Sequence, residues 1–306
     1  MLCTLIYNRP EAEPNKTYIG FYRQVCARRG VDFHIVFKED ILNRKTPLPK
    51  HGFVINRTRD AGIALQLEKE GIPVYNNSRV TLLGNDKLAA LLHVKSLGLP
   101  VLKTSVHIED FDRFPIVMKS RDGHGGTEVF LLQDPEDARR YQNEVRRRRS
   151  ALLDNTCRIP SARHSGLPAE GHAANGAEPS LPADTDTAWI YQEMADTPGK
   201  DLRVYVTGNR ITAAMLRSSE TDFRSNYCLG GQASVYKLSG TEKRIVDTIL
   251  SSLDIGHCGI DFLFHKGHLI FNELEDVVGS RMLYRYTDID VVSDYIDFIL
   301  RDLHHM

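Results

Sequence analysis

The chain has 306 residues, with 39 Lys and Arg against 40 Asp and Glu, and 42% hydrophobic and 26% charged side chains, a make-up that suits a globular protein with more than one core. A formal net charge of -1 supplies no broad field to attract nucleic acid or an anionic bilayer, so neither is an expected partner. No run approaches the roughly 20 apolar residues of a membrane span. Met1 to Tyr7 lacks the features of a signal peptide, and five scattered cysteines without a Cys-x-x-Cys pair fit a reducing cytoplasm.

Strand and helix patterns alternate first. Leu2 to Tyr7 reads as a strand, Tyr18 to Val25 as the apolar face of a helix ending near Gly30, Val31 to Phe37 as a second strand, and Phe53 to Asn56 as a third. A helix bearing Ile63, Leu65 and Leu67 and a fourth strand, Gly71 to Asn77, complete an expected parallel sheet, whose ligands usually sit at the carboxyl ends of its strands. Asn85-Asp86 predicts a helix cap, and Ile116 to Lys119, a glycine turn at 123–126 and Thr127 to Leu132 predict a hairpin. From Arg146 to Ala188 the hydrophobic period disappears, and the spacing predicts a long surface insertion at about 147–187. Such an insertion is tolerated without a function; contact with another protein or gating of substrate is the alternative. After Trp189 the chain predicts strands at Leu202 to Val206, Ile211 to Leu216, Gly259 to Phe264 and His268 to Glu273, with helices at Glu242 to Leu253 and Val291 to Leu303.

Three groups of residues carry candidate chemistry. Lys87 follows a helix cap, and Lys119 ends a strand before Gly123, Gly125 and Gly126, whose backbones can approach a phosphate closely; that both are ordinary surface lysines is the alternative. Asp261, Glu273 and Glu275 lie on two neighbouring strands, Glu273 and Glu275 on one face. Three converging carboxylates need a cation, and oxygen ligands suit Mg²⁺ or Mn²⁺; a solvated edge strand is the alternative. Arg203, Arg217 and Arg224 each lie in or beside apolar sequence, where they bind a carboxylate or phosphate or else form structural ion pairs. Asn8, Arg9, Asn56, Arg57 and Arg59 fall at expected strand ends, where they bind a substrate carboxylate or serve only as caps and solvated loop residues.

In this order the segments from Gly71 to Ser280 resemble the ATP-grasp superfamily, and within it the RimK-like (ribosomal-protein S6 glutamate ligase-like) carboxylate-amine ligases. The resemblance rests on Asn85-Asp86-Lys87, Pro115-Ile-Val-Met-Lys119 with its glycine loop, Tyr191-Gln-Glu-Met194, Asp201-Leu-Arg203 and Ala213-Ala-Met-Leu-Arg217. Phe223-Arg-Ser-Asn226, Gly259-Ile-Asp261 and Asn272-Glu-Leu-Glu275 complete it. It implies an α/β and α+β chain with an N-terminal parallel-sheet (pre-ATP-grasp) domain at 1–85 and two α+β subdomains, 86–188 and 189–306, clamping ATP. It implies phosphate contacts from Lys87 and Lys119 and a lid carrying Gly125 and Gly126. Adenine would pair with the backbone of Gln192, Glu193 and Met194, and the ribose contact would fall to Glu193, Asp196 or Asp201, with Arg203 also in the nucleotide set. Two Mg²⁺ ions would lie on Asp261, Glu273 and Glu275, with Arg217 and Asn226 near the transferred phosphoryl group. The family usually has Asn where this chain has Glu275, which adds a negative charge to the metal cluster.

The expected activity is ATP-dependent ligation of a carboxylate to an amine through an acyl phosphate, releasing ADP and phosphate. The substrates are expected to be amino acids, peptides or similar small molecules, with ligation of two molecules and ring closure both open, and a homodimer also open. Arg57 and Arg224 are the candidate substrate residues. An ATP-grasp kinase and a non-catalytic nucleotide-binding protein are the alternatives.

Overall fold

The computed structural model describes residues 1–156, 188–219, 222, 224 and 232–305. They divide into two compact units: residues 1–102 with 195–306, and residues 103–194.

The first unit opens with β1 (Leu2–Tyr7), the short helix α1 (Arg9–Ala12), α2 (Lys16–Arg28), β2 (Asp32–Phe37), α3 (Lys38–Leu42), β3 (Phe53–Arg57), α4 (Ala61–Lys69) and β4 (Val74–Tyr75). The strands form a sheet in the order β2-β1-β3-β4, and every pairing is parallel, as the alternation of elements predicts. Ile19, Tyr22, Val25 and Cys26 of α2 recur at helical spacing and are buried. Asp60 caps α4 by accepting from the backbone N–H groups of Gly62 and Ile63. Two further helices follow, α5 (Ser78–Asn85) and α6 (Lys87–Ser96), each capped by the residue before it: Asn77 accepts from Val80, and Asp86 from Leu88 and Ala89. Helix α5 has little sequence signal, because Ser78, Thr81, Gly84 and Asn85 are weak helix formers. The cap and the burial of Val80, Thr81 and Leu83 compensate for that weakness.

The second unit holds β5 (Thr104–Ser105), a 3-10 turn at Ile108–Asp110, β6 (Ile116–Ser120), β7 (Val129–Leu132), α7 (Pro135–Thr156) and β8 (Trp189–Glu193). Its sheet has the order β5-β8-β6-β7 with antiparallel pairings throughout. Ile116, Met118, Leu132, Ala138 and Tyr191 are buried in its core. Two expectations are corrected here. Residues 147–156 are helical and part of α7 rather than surface loop: the arginine-rich run has good intrinsic helix propensity, and Glu144 pairs with Arg148 one turn on. Residues 157–187, the rest of the expected insertion, lie outside the described residues. The boundaries also move. The segment 86–102 belongs to the first unit, and Trp189–Glu193 belongs to the second because β8 pairs with β5 and β6.

The chain then returns to the first unit with β9 (Lys200–Thr207), β10 (Arg210–Ser218), β11 (Gln232–Val235), α8 (Gly240–Leu250), β12 (His257–His265), β13 (His268–Glu275), α9 (Arg281–Tyr286) and α10 (Val291–His305). The strands form an antiparallel sheet in the order β11-β10-β9-β12-β13. Val291, Val292, Tyr295, Ile296 and Ile299 make one buried stripe on α10, which joins Leu5, Phe53, Tyr205 and Met215 in a core shared by the two sheets of this unit.

Asn76, just after β4, ties those sheets together. Its Nδ2 donates to the carbonyls of His257 at 2.8 Å and Asp276 at 3.1 Å, while its Oδ1 accepts from the N–H groups of Gly256 and His257, both at 2.9 Å. Asn76 is buried, so truncation leaves four backbone groups without partners away from water. Asn76→Ala is expected to lower unfolding free energy by about 3 kcal/mol, read from the shift of the urea midpoint; a change within ~0.5 kcal/mol would deny the residue this role.

Candidate functional site

The chemistry of the first unit is concentrated on one face of its antiparallel sheet by strand register. Arg203 of β9 lies opposite Asp261 of β12, Asp261 lies opposite Glu273 of β13, and Asp201 of β9 lies opposite Arg217 of β10. The two-residue period of a strand puts Asp201 and Arg203 on one face, and Glu273 with Glu275. Asp261 is 1% exposed. Its Oδ1 accepts from Arg203 Nε at 2.7 Å; its Oδ2 accepts from Arg203 Nη2 at 2.6 Å and from Arg217 Nη2 at 2.7 Å. Arg217 also grips Asp201 with both Nε and Nη2, at 2.5 and 2.7 Å. Arg203 Nη2 reaches Glu275 Oε1 at 2.9 Å, and Lys87 Nζ lies 3.6 Å from Glu273 Oε2. Lys87 is fixed at the first position of α6 by the Asp86 cap. Gly259 leaves room for this packing, because a Cβ there would stand 2.8 Å from Val278 Cγ2 and 3.4 Å from Arg203 Nε.

Burial would raise the Asp261 carboxyl, but Arg203 and Arg217 outweigh it and hold the group down at about 2. Burial pushes Glu275 up; Arg203 opposes the shift, and the charges of Asp261 and Glu273 add to it. One oxygen each from Asp261, Glu273 and Glu275 lies within 4.8 Å of the others. All three donors are hard carboxylate oxygens in a place where their mutual repulsion favours a bound cation, so the set fits Mg²⁺ or Mn²⁺.

The second unit presents Lys119 at the end of β6, 8% exposed. Its Nζ donates to Gln192 Oε1 at 2.7 Å, and Gln192 Nε2 donates to Thr104 Oγ1 at 3.0 Å, so β6, β8 and β5 fix the lysine head together. Gly125 and Gly126 in the turn after β6 have φ of 65° and 73°, the left-handed region that glycine adopts at least cost.

The structure thus brings Arg203, Arg217, Asp201, Asp261, Glu273, Glu275 and Lys87 into one cluster, and Lys119 with Gln192 into another. Three expectations change. Asp201 is buried with both carboxylate oxygens on Arg217, so it orients that arginine and is unsuited to a ribose hydroxyl. The Glu193 N–H donates to the carbonyl of Lys103 at 2.9 Å, which removes it from the expected adenine pairing; the Glu193 side chain is exposed, and Met194 follows the strand end. Arg224, a candidate for substrate, pairs with Asp222 two residues before it, its Nη2 at 2.7 Å. Asn226 lies outside the described residues.

The sequence reading missed Asn76, His257 and Ser280. His257 is buried, with Nδ1 3.0 Å from the Val206 carbonyl and Nε2 3.3 Å from Ser280 Oγ. A carbonyl only accepts, so Nδ1 carries the proton and Nε2 accepts from the serine hydroxyl. The Tyr18 hydroxyl lies 3.2 Å from the same Ser280 Oγ. A histidine beginning a strand gives no sequence signal for such a chain, whose partners lie 23 and more residues away.

The model of the RimK-like ATP-grasp domain matches residues 174–299. A probable alpha-L-glutamate ligase of Maridesulfovibrio salexigens is 25% identical over 247 residues, covering 78% of this chain and 70% of the relative. Human N-acetylaspartylglutamate synthase A is 24% identical over 322 residues, covering 93% and 73%. Among solved structures, a RimK-domain ATP-grasp protein from Sphaerobacter thermophilus superposes with a TM-score of 0.63 at 18% identity, covering 97% of this chain and 99% of the other, a likeness of fold.

Burial, and then the charge of Arg57, hold His257 down at about 3. The unfolded chain takes up that proton near pH 6.5 and the folded chain does not, so the stability His257 contributes is complete above that pH and declines as pH falls towards 3. The stability advantage of the wild type over His257→Gln is therefore expected to shrink by about 1.4 kcal/mol per pH unit below pH 6, measured by urea unfolding at pH 7.5, 6 and 5. A constant difference would show a charged histidine in the folded state.

Proposed function

We propose that this chain, an ATP-grasp protein carrying a RimK-like ATP-grasp domain, is an ATP-dependent ligase that joins a carboxylate to an amine. The observation that carries the proposal is the convergence of Asp261, Glu273 and Glu275 beside two buried arginines. Such a set is suited to binding the metal-bound phosphate end of a nucleotide and to stabilising charge that develops on a transferred phosphoryl group. Relatives named as glutamate ligases and as N-acetylaspartylglutamate synthase support amino acids or peptides as the substrate class.

In the proposed reaction a carboxylate oxygen attacks the γ-phosphorus of ATP, ADP leaves, and an acyl phosphate forms. The amine nitrogen then attacks the acyl carbon, phosphate leaves, and the amine gives up a proton to complete the amide. Mg²⁺, or Mn²⁺, held by Asp261, Glu273 and Glu275 would neutralise phosphate oxygens. Arg217 is assigned to the transferred phosphoryl group, with Asn226 beside it from the family resemblance. Asp201 and Asp261 restrict Arg217 to one orientation, so little reorganisation is needed as charge develops. Arg203 holds Asp261 and Glu275 apart from one another's charge. Lys87 and Lys119 are assigned to phosphate oxygens, with Gln192 aiming Lys119. The backbones of Gly125 and Gly126 are assigned to closing over the phosphates, and Met194, past the strand end, to the adenine. Closure matters because an acyl phosphate reacts with water.

Incubation with ATP, Mg²⁺ and panels of amino acids and dipeptides is expected to release ADP and phosphate in equal amounts with an amide product. AMP and pyrophosphate would overturn the mechanism, and a phosphorylated product without free phosphate would identify a kinase. Lys119→Ala and Glu273→Ala are each expected to lower turnover by at least about 100-fold with an unchanged circular dichroism spectrum. A variant that keeps near-normal turnover removes its residue from the machinery.

A further inference from the structure

Three arginines are buried among the described residues: Arg57 at 6% exposure, Arg203 at 7% and Arg217 at 3%. Arg203 and Arg217 each meet a carboxylate with paired nitrogen atoms. Arg57 does not. Among the described residues no carboxylate lies within ion-pair distance of it, although its charge acts on the buried Asp276; its Nη2 donates to the Val278 carbonyl at 3.2 Å, the Tyr7 side chain is its other polar neighbour, and its Nε has no hydrogen-bond partner. A guanidinium that is both buried and without a counter-ion is costly to keep in a folded protein unless an anion comes from outside.

The placement of Arg57 is suited to such a ligand. It is the last residue of β3, level with Tyr7 at the end of β1, at the carboxyl edge of the parallel sheet where ligands of open α/β sheets bind. Its Cζ lies 5.1 Å from the centre of the Tyr18 ring, which supports the flat face and leaves the edge of the fork to a planar partner. The Tyr18 ring is itself fixed. Its hydroxyl reaches Ser280 Oγ, which in turn donates to the neutral His257, and the Val278 carbonyl that receives Arg57 lies in the same short segment after β13.

We propose that Arg57 is the receptor for a free carboxylate of the substrate, one that is not consumed, so that the substrate is an α-amino acid or peptide presenting that group. This inference rests on the ligase reading above. The carboxylate is a spectator on chemical grounds. A carboxylate that becomes an acyl phosphate loses the charge on its own two oxygens, and once phosphate has left, the neutral amide would leave Arg57 buried and unpaired. A second carboxylate on the same substrate keeps the arginine neutralised throughout.

The test is equilibrium binding of L-glutamate, L-aspartate and L-alanine, each beside its α-amide, to the full chain saturated with MgADP. At least one acid is expected to bind about 10- to 100-fold more tightly than its amide, and Arg57→Lys is expected to abolish that preference while MgADP affinity is unchanged. Arg57→Gln provides a second variant, and whichever gives the wild-type circular dichroism spectrum is used. Equal binding of acid and amide by the wild type, or a preference that survives substitution, overturns the proposal. Displacement of the acid by equal concentrations of inorganic phosphate or chloride also overturns it, by marking a general anion site. A retained preference for the acid without ATP turnover on any amino acid would instead fail the ligase reading.

Discussion

The first unit is organised by one buried carboxylate, Asp261, which accepts three hydrogen bonds from two guanidinium groups. Burying charges costs several kcal/mol each, and Coulomb attraction compensates only when geometry is good and the remaining donors are satisfied. The strand order secures that geometry. With β9 and β12 adjacent at the centre of the sheet and β10 on the far side of β9, Arg203 and Arg217 approach Asp261 from neighbouring rows. Asp201 then accepts from Arg217 Nε and from the same Nη2 that donates to Asp261. The same pairings that form the sheet therefore place two cations where their orientation is fixed, the arrangement on which the proposed phosphoryl transfer would draw.

A rigid cluster on one sheet is of use only if the neighbouring elements are held to it, and Asn76 shows how that is done. One buried amide meets two carbonyls and two N–H groups, which exhausts its hydrogen-bonding capacity. The end of the parallel sheet is thereby joined to the start of β12 and the end of β13, the strands that carry the three clustered carboxylates. Tyr205 adds a bond from its hydroxyl to the Gly279 carbonyl. Arg57, by contrast, is a buried cation with an unbonded Nε and no carboxylate within ion-pair distance, which is why its partner is proposed to come from solution.

The residue types and their order were readable because the chemistry demands them: a lysine before glycines, carboxylates two apart on a strand, arginines in apolar runs. Strands and amphipathic helices were readable from periodicity, as in α10 with its buried stripe. What stayed hidden depends on register over long separations. Asp201 is a plausible ribose ligand until β9 pairs with β10 and brings Arg217, 16 residues on, against both its oxygens. Likewise, Trp189–Glu193 reads as the start of a new subdomain until β8 pairs with β6, more than 70 residues earlier, and places Gln192 on Lys119. The helical run at 147–156 was hidden for a different reason. Its side chains show no apolar period, so only intrinsic propensity marked it, and propensity is a weak signal beside a change of composition.

Glu275 stands where the family that the sequence resembles usually has Asn, and its surroundings give the extra carboxylate a meaning. Four carboxylates, Asp201, Asp261, Glu273 and Glu275, meet three cations, Arg203, Arg217 and Lys87. With a neutral amide at position 275 the cluster would balance by itself. With Glu275 it carries one uncompensated negative charge in a half-buried place, and that imbalance is expressed in the upward push on the Glu275 carboxyl from burial and from its acidic neighbours. Arg203 moderates the push but already holds Asp261. A divalent cation on Glu273 and Glu275 would reverse it, so under the proposed ligase reading the extra carboxylate would make this cluster more dependent on a metal, whose binding would then help to stabilise the sheet that positions the arginines.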